Sequence, residues 1–241
     1  WLVGTGPVRP EQVLGLTFTN KAASELSDRV RKALERAGVL GTDPVPGAGP
    51  DDEVPGEPAI STYHSFAGQL LKEHGLRIGL EPGARLLADA TRYQLAARVV
   101  RRAPGPYPSL TSSVTTLVGR LLDLEGQLSE HLVAPKRLRA HDTALLAELA
   151  DHPLGNEDLR KVPETAAARI ELSDLVERYR AEKRHADLID FGDQIALSAT
   201  LAMTRPEVGR IMRERYAVVL LDEYQDTSVA QRLLLAGLFG S

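Results

Sequence analysis

The run Val218-Val219-Leu220-Leu221-Asp222-Glu223-Tyr224-Gln225-Asp226-Thr227 sets four uninterrupted apolar residues directly ahead of two acids. Apolar residues without polar alternation are the pattern of a strand buried on both faces of a parallel sheet. In open α/β sheets, ligands bind just beyond the carboxyl ends of the strands. Two adjacent carboxylates there are costly to hold together unless something positive compensates them. Mg²⁺ is the usual hard cation for such oxygen ligands where phosphates are present. In that chemistry Asp222 holds Mg²⁺ through water, and Glu223 polarises a water that attacks a γ-phosphate. The plain alternative is a strand ending in two solvated acids, and the apolar-then-acidic pattern by itself does not separate the two.

Outward from this run, the chain alternates between two kinds of material. Val13-Leu14-Gly15-Leu16-Thr17-Phe18-Thr19 reads as a buried strand, with Asn20 as the N-cap of a helix reaching about Ala37. Leu26, Val30 and Leu34 recur every four residues on that helix, and Gly38 is a natural stop. Gly41 to Pro58 is dominated by Gly, Pro, Asp and Glu and reads as a flexible surface insertion. Ala59 to Tyr63 is a short strand, followed by a helix that stops at Gly75. From about Leu80 to Ala186 nearly everything reads as helix: Asp89 to Arg101, Leu110 to Leu132, Pro135 to Ala150 and Pro163 to His185, with Pro135 and Pro163 at helix starts. Asp190 to Met203 and Pro206 to Tyr216 follow as helices, then the strand Ala217 to Leu221 and a closing helix Ser228 to Phe239. Strand–helix units flanking a helical block predict an α/β domain interrupted by an all-helical one.

Composition bounds what this assembly can be. With 43% hydrophobic residues over 241 positions, a packed core is feasible, and with 5% aromatics it must rest on Leu, Val, Ala and Ile. A net charge of -4 excludes attachment to nucleic acid by bulk charge alone and leaves room for a local groove. Cysteine is absent, so disulfides and thiolate zinc sites are excluded. No apolar run approaches the ~20 residues of a membrane span, and the reading places the protein in the cytoplasm.

Tyr224-Gln225-Asp226-Thr227, read together with Asp222-Glu223, closely resembles the "DExQD" motif II of superfamily 1A helicases, the family of UvrD, PcrA and Rep. The resemblance implies ATP and Mg²⁺ as cofactors, Mg²⁺ binding for Asp222 and a catalytic base in Glu223. For Gln225 it implies a sensor linking the nucleotide state to the DNA site. Thr17-Phe18-Thr19-Asn20-Lys21-Ala22-Ala23 is similar to motif Ia of the same family. An aromatic at a strand's end can stack on an unstacked base, and Thr19, Asn20 and the first helix amides can hold phosphate oxygens. Taken alone, Phe18 reads as core and Asn20 as a cap. Ser61-Thr62-Tyr63-His64-Ser65-Phe66 resembles motif Ib, usually "STFHS", so Tyr63 and His64 are expected to line a single-strand groove. Leu188-Ile189-Asp190-Phe191-Gly192-Asp193 resembles the segment by which such proteins return from the helical insertion. There Asp190 is expected to cap a helix and Phe191 to pack.

The resemblance implies a RecA-like, P-loop NTPase-type parallel sheet with an inserted helical domain. The parts are motor domain 1A over 1–79 and 187–241, with 41–58 as the flexible insertion, and domain 1B over 80–186. It further implies a parent enzyme that couples ATP hydrolysis to 3′→5′ movement on single-stranded DNA and to duplex unwinding in repair or recombination. Single-stranded and junction DNA are the implied partners, with a nuclease or helicase subunit beside them. Arg98, Arg101, Arg102, Lys136, Arg137 and Arg139 lie in the helical block, which the resemblance implies touches DNA, although each cluster reads by default as a solvated helix face. Val8-Arg9-Pro10-Glu11-Gln12 looks like the stretch joining a P-loop helix to motif Ia, most like actinobacterial members related to RecB and AddA. No G-x-x-x-x-G-K-[ST] is present, and Gly4-Thr5-Gly6-Pro7 lacks its lysine and hydroxyl. The expectation is a fragment whose sheet lacks its first strand and which does not hydrolyse ATP alone. The rival is a non-motor DNA-binding or scaffold subunit of a recombination helicase–nuclease complex. A P-loop encoded upstream of Trp1 separates the two.

Overall fold

The computed structural model describes Val3 and residues 8–38, 56–81, 83–150, 152 and 155–240. In chain order the elements are β1 (Val13–Thr17), α1 (Asn20–Arg36), β2 (Ala59–Thr62), α2 (Tyr63–His74), β3 (Arg85–Leu86), α3 (Asp89–Arg102), α4 (Val114–Glu130), α5 (Pro135–Ala150), α6 (Glu157–His185), β4 (Leu188–Ile189), α7 (Phe191–Thr204), α8 (Pro206–Arg215), β5 (Val218–Leu221) and α9 (Val229–Phe239). The Gly41–Pro58 segment read as an insertion lies outside the described residues up to position 55.

The chain divides into two compact units, Trp1–Pro82 with Gln194–Ser241, and Gly83–Asp193. The first holds a parallel three-stranded sheet of order β2-β1-β5. Parallel neighbours need crossovers, and α1 supplies the one from β1 to β2. The central strand β1 is buried along its whole length, with Leu14 and Leu16 almost fully enclosed. β5 departs from the expectation of a strand buried on both faces. Leu220 is 55% exposed and the other three residues are half-buried, and among the described strands β5 lies at the edge, paired with β1 alone. An unbroken apolar run therefore marked a strand correctly and misjudged its place in the sheet.

Helix starts follow side-chain capping. Thr19, not Asn20, caps α1: its hydroxyl accepts from the Ala22 amide at 3.1 Å, which leaves Asn20 as the first helical residue. Thr62 caps α2 in the same way through the Ser65 amide at 3.1 Å, and Ser228 forms a capping box with Gln231 at α9.

Glycine sets the packing of α9. A Cβ on Gly237 would lie 2.9 Å from the Ala202 carbonyl carbon of α7, and one on Gly209 of α8 would lie 2.8 Å from the Gly237 carbonyl oxygen. Alanine normally favours a helix interior over glycine by ~1 kcal/mol. Here the opposite is expected: Gly237→Ala destabilises by ~1–3 kcal/mol through overpacking, read from the midpoint of a urea melt. A neutral or stabilised variant would show that α9 rides further from α7.

The second unit is a helical assembly with a two-stranded parallel ribbon, β3 on β4. Its core joins Leu95 and Val99 of α3, Val118, Leu121 and Leu128 of α4, and Leu172, Val176 and Tyr179 of α6. α5 packs along α6, fastened by Arg169, whose Nε donates to the fully buried Asp142 at 2.7 Å. The start expected for α6 at Pro163 is corrected. The helix begins at Glu157, and Asn156 caps it by accepting from the Leu159 amide at 2.8 Å. That cap, with Glu157 and Asp158 in the first turn to complement the helix dipole, favours two turns ahead of the proline. Phe191, at the first position of α7, is 49% exposed.

Candidate functional site

The parallel register brings the candidate residues of the first unit to one sheet edge. Thr17 pairs with Thr62, and Leu16 with Leu221, so Thr62, Thr17 and Asp222 form a row across three strands at their carboxyl ends. The Asp222 amide continues the ladder by donating to the Leu16 carbonyl at 2.9 Å. The next row along the chain is Tyr63, Phe18 and Glu223. Three segments far apart in sequence thus converge because short strands all end at the same level.

Asp222 is exposed, and the Thr17 hydroxyl donates to its Oδ2 at 3.3 Å. Glu223 is exposed and left-handed, with φ of 51°. That conformation costs a non-glycine residue ~1–2 kcal/mol, and it turns the chain out of the strand into the short 3₁₀ turn Tyr224–Asp226. The Asp226 amide donates to the Glu223 carbonyl at 2.9 Å, and the Gln225 side-chain amide donates to the Glu223 carboxylate. Asp222, Glu223 and Gln225 are therefore brought together at the mouth of the sheet. Among the described residues, neither Asp222 nor Glu223 pairs with a Lys, Arg or His. Two adjacent uncompensated carboxylates with an all-oxygen donor set suit a hard divalent cation.

On the β1 side, Phe18 is half-buried and rests on Tyr63, ring centroids 5.0 Å apart at 44°. Thr19 and Asn20 are exposed beside it. Thr19 holds the first turn of α1 through both its hydroxyl and its carbonyl, the latter accepting from Ala23 at 2.9 Å. His64 is half-buried, and burial depresses its imidazole pKa, which favours the neutral ring. Tyr63 corrects the expectation of a groove-lining ring. It is wholly buried, so it offers no face to a base, and Phe18 alone of the pair reaches the surface. Burial is the main cause of its raised hydroxyl pKa, with Tyr224 and Asp222 adding to it.

The model of the UvrD/REP helicase N-terminal domain matches residues 1–241. The chain belongs to this family. Among its relatives in the UvrD/REP family, the DNA helicase II of Rickettsia typhi is 26% identical over 237 residues, covering 95% of this chain and 29% of the relative. The ATP-dependent DNA helicase UvrD1 of Mycobacterium tuberculosis is 27% identical over 242 residues, covering 100% of this chain and 26% of the relative. The ATP-dependent DNA helicase PcrA of Bacillus subtilis is 26% identical over 236 residues, covering 98% and 26%. The chain thus spans less than a third of the length of these UvrD/REP relatives. Among its described residues no helix is long and apolar enough to cross a membrane.

Two features escaped the sequence reading of this UvrD/REP-family chain. Thr17 opens the motif Ia run, but nothing local points to its partner: its hydroxyl reaches Asp222 across 205 positions, a contact decided by the register of β1 on β5. The other is a buried ion cluster in the second unit. Lys183 of α6 reaches Glu125 of α4 at 3.3 Å, Asp190 at 2.8 Å and Asp193 of α7 at 2.7 Å. Arg180 meets Glu125 at 3.3 Å, and Arg92 of α3 lies 3.6 Å from Asp190. The three carboxylates are close enough together to ligate a metal ion, but the Lys183 ammonium already supplies the cation. Burial pushes the Lys183 pKa down, yet the carboxylates of Asp193, Glu125 and Asp190 outweigh it and hold it above the ordinary value. Asp190 caps α7 as expected, accepting from the Asp193 amide at 3.0 Å. Of the basic residues noted in the helical block, Arg139 is paired with Glu177 at 2.8 Å, while Arg98, Arg101, Arg102, Lys136 and Arg137 are exposed or at the surface.

Proposed function

We propose that this chain is the first motor domain region of an ATP-dependent 3′→5′ DNA helicase, coupling ATP hydrolysis to translocation on single-stranded DNA and to duplex unwinding in repair or recombination. The observation that carries the reading is the shared sheet edge. The Asp222–Glu223 carboxylates and the surface-reaching Phe18 ring sit on adjacent rows of neighbouring strands, so a nucleotide and a DNA strand would be held by one rigid element. Sites carried on strands keep their geometry better than sites on loops.

In this reading Asp222, with Thr17 beside it, would hold Mg²⁺ when ATP is bound, and Glu223 would accept the proton of the attacking water. Bound Mg²⁺ neutralises phosphate charge. Gln225, already bonded to Glu223, senses whether the γ-phosphate is present. Phe18 stacks on a base, Thr19 and Asn20 meet phosphate oxygens at the start of α1, and the neutral His64 contributes a hydrogen bond to the strand. The unit Trp1–Pro82 with Gln194–Ser241 is motor domain 1A and Gly83–Asp193 is domain 1B. Val8 to Gln12 supports a lineage among actinobacterial members related to RecB and AddA, and with it a nuclease or helicase partner, junction DNA and the cytoplasm as the place of action.

Phe18→Ala in the full-length protein tests this. Stacking is worth ~1–3 kcal/mol per base, so affinity for a short single-stranded oligonucleotide should fall by roughly 5- to 150-fold, with a parallel loss of DNA-stimulated ATPase activity. Unchanged values in both assays would remove the single-strand site from this edge.

A further inference from the structure

Tyr63 combines two properties that conflict if its role is only to fill space. Its side chain is wholly buried, and its hydroxyl has no hydrogen-bond partner among the described residues. A buried hydroxyl left unbonded destabilises a fold, and phenylalanine would fill the same volume without that cost.

Its surroundings indicate a use. Tyr63 follows Thr62, which pairs with Thr17, and Thr17 in turn donates to Asp222 at 3.3 Å. Its ring lies against Phe18 at 5.0 Å. Asp222 and Tyr224 are the charged and ionisable groups that act on its hydroxyl. Tyr63 is therefore in contact with the ring proposed to meet DNA, and it follows directly on the strand row Thr62, Thr17 and Asp222 that carries the carboxylate proposed to meet the nucleotide.

We propose that Tyr63 is a positioning residue that couples nucleotide occupancy to DNA affinity: its hydroxyl gains its missing hydrogen bond at the Asp222–Tyr224 end when nucleotide is bound, and its ring resets the pose of Phe18. The inference rests on the helicase reading above. Energetically it is a linkage between two sites through one side chain. Such coupling has to act equally in both directions, with DNA tightening or loosening nucleotide as much as nucleotide does DNA.

The test uses the full-length protein and Tyr63→Phe, which removes one oxygen and leaves the ring. Single-strand affinity is measured by anisotropy with and without a non-hydrolysable magnesium–ATP analogue, and the melting temperature is measured without ligand. In the wild type, nucleotide should change DNA affinity by about 5-fold or more. In Tyr63→Phe that change should shrink toward none, while the unliganded melting temperature stays equal or rises. Full linkage in the variant would overturn the proposal. So would a lower melting temperature with DNA affinity reduced equally in both nucleotide states, which is the signature of a space-filling role. A wild type that binds neither nucleotide nor single-stranded DNA would instead refute the helicase reading, and the inference with it.

Discussion

Glu223→Gln in the full-length protein should lower ATP turnover by about 10²- to 10⁴-fold, the range for losing a general base, while nucleotide binding is retained. The substitution keeps the side chain's size and its place in the αL turn, and Gln225 keeps a carbonyl oxygen to donate to. What disappears is the ability to accept a proton. Steady-state turnover with single-stranded DNA present, set beside equilibrium binding of a fluorescent nucleotide, separates chemistry from affinity. A variant that turns over at the wild-type rate would reduce Glu223 to a solvated acid after a strand. A wild type with DNA binding and no turnover would favour the non-motor scaffold.

Lys183→Met should be the most destabilising single change in the helical unit, at about 3–5 kcal/mol, because it leaves buried carboxylates without their central cation. Glu125 and Asp190 are almost fully enclosed and cannot turn to solvent. Arg92, Arg180, Ser129 and the buried Tyr179 are the other groups around the cluster, and neither arginine replaces the three short contacts of the ammonium. The deficit should depend on pH. For Asp190 burial pushes the pKa up, but Lys183 outweighs it and the net shift is downward. Its stabilising contribution is therefore present above the ordinary carboxylate range and fades as pH falls through the lowered folded value. Asp193 shifts upward, with burial the largest cause and Asp190 adding to it. Its contribution has the opposite sign: it is present below the ordinary range and is lost as pH rises through the raised value. Without Lys183 the remaining carboxylates favour protonation together, so the gap between variant and wild type should narrow from neutral pH toward about 4. Urea melts across that range measure it. A gap that is small, or that does not change with pH, would mean that water reaches the cluster.

Much of the molecule was legible in local sequence. α5 was read with its observed bounds, Pro135 to Ala150, because proline at a first helical position and a continuous helix-forming run leave little competition. The carboxylate pair beyond β5 was legible because strand and acids are contiguous. Where readings failed, competing local signals or burial set by distant packing decided the outcome. Asn20 and Thr19 are both competent caps, and the end of β1 at Thr17 chose between them. Pro163 looked like a helix start until Asn156 supplied a better one upstream. Tyr63 looked available to a base because its motif says aromatic, and motifs do not record burial.

Local sequence was enough to mark the Asp222–Glu223–Gln225 and Phe18–Thr19–Asn20 sets and the strand and helix periods that carry them. Those are properties of residue type and spacing along a few neighbours. Long-range packing set β1 between β2 and β5, so that Thr17 bonds Asp222, Phe18 rests on Tyr63, and Tyr63 is wholly buried. It likewise decided that Lys183 sits within a ring of carboxylates rather than on a solvated helix face. The physical reason is the same in both places. Strand order and helix docking are set by burying apolar surface across the whole chain, and polar groups carried inward by that burial must find partners that no local stretch of sequence names.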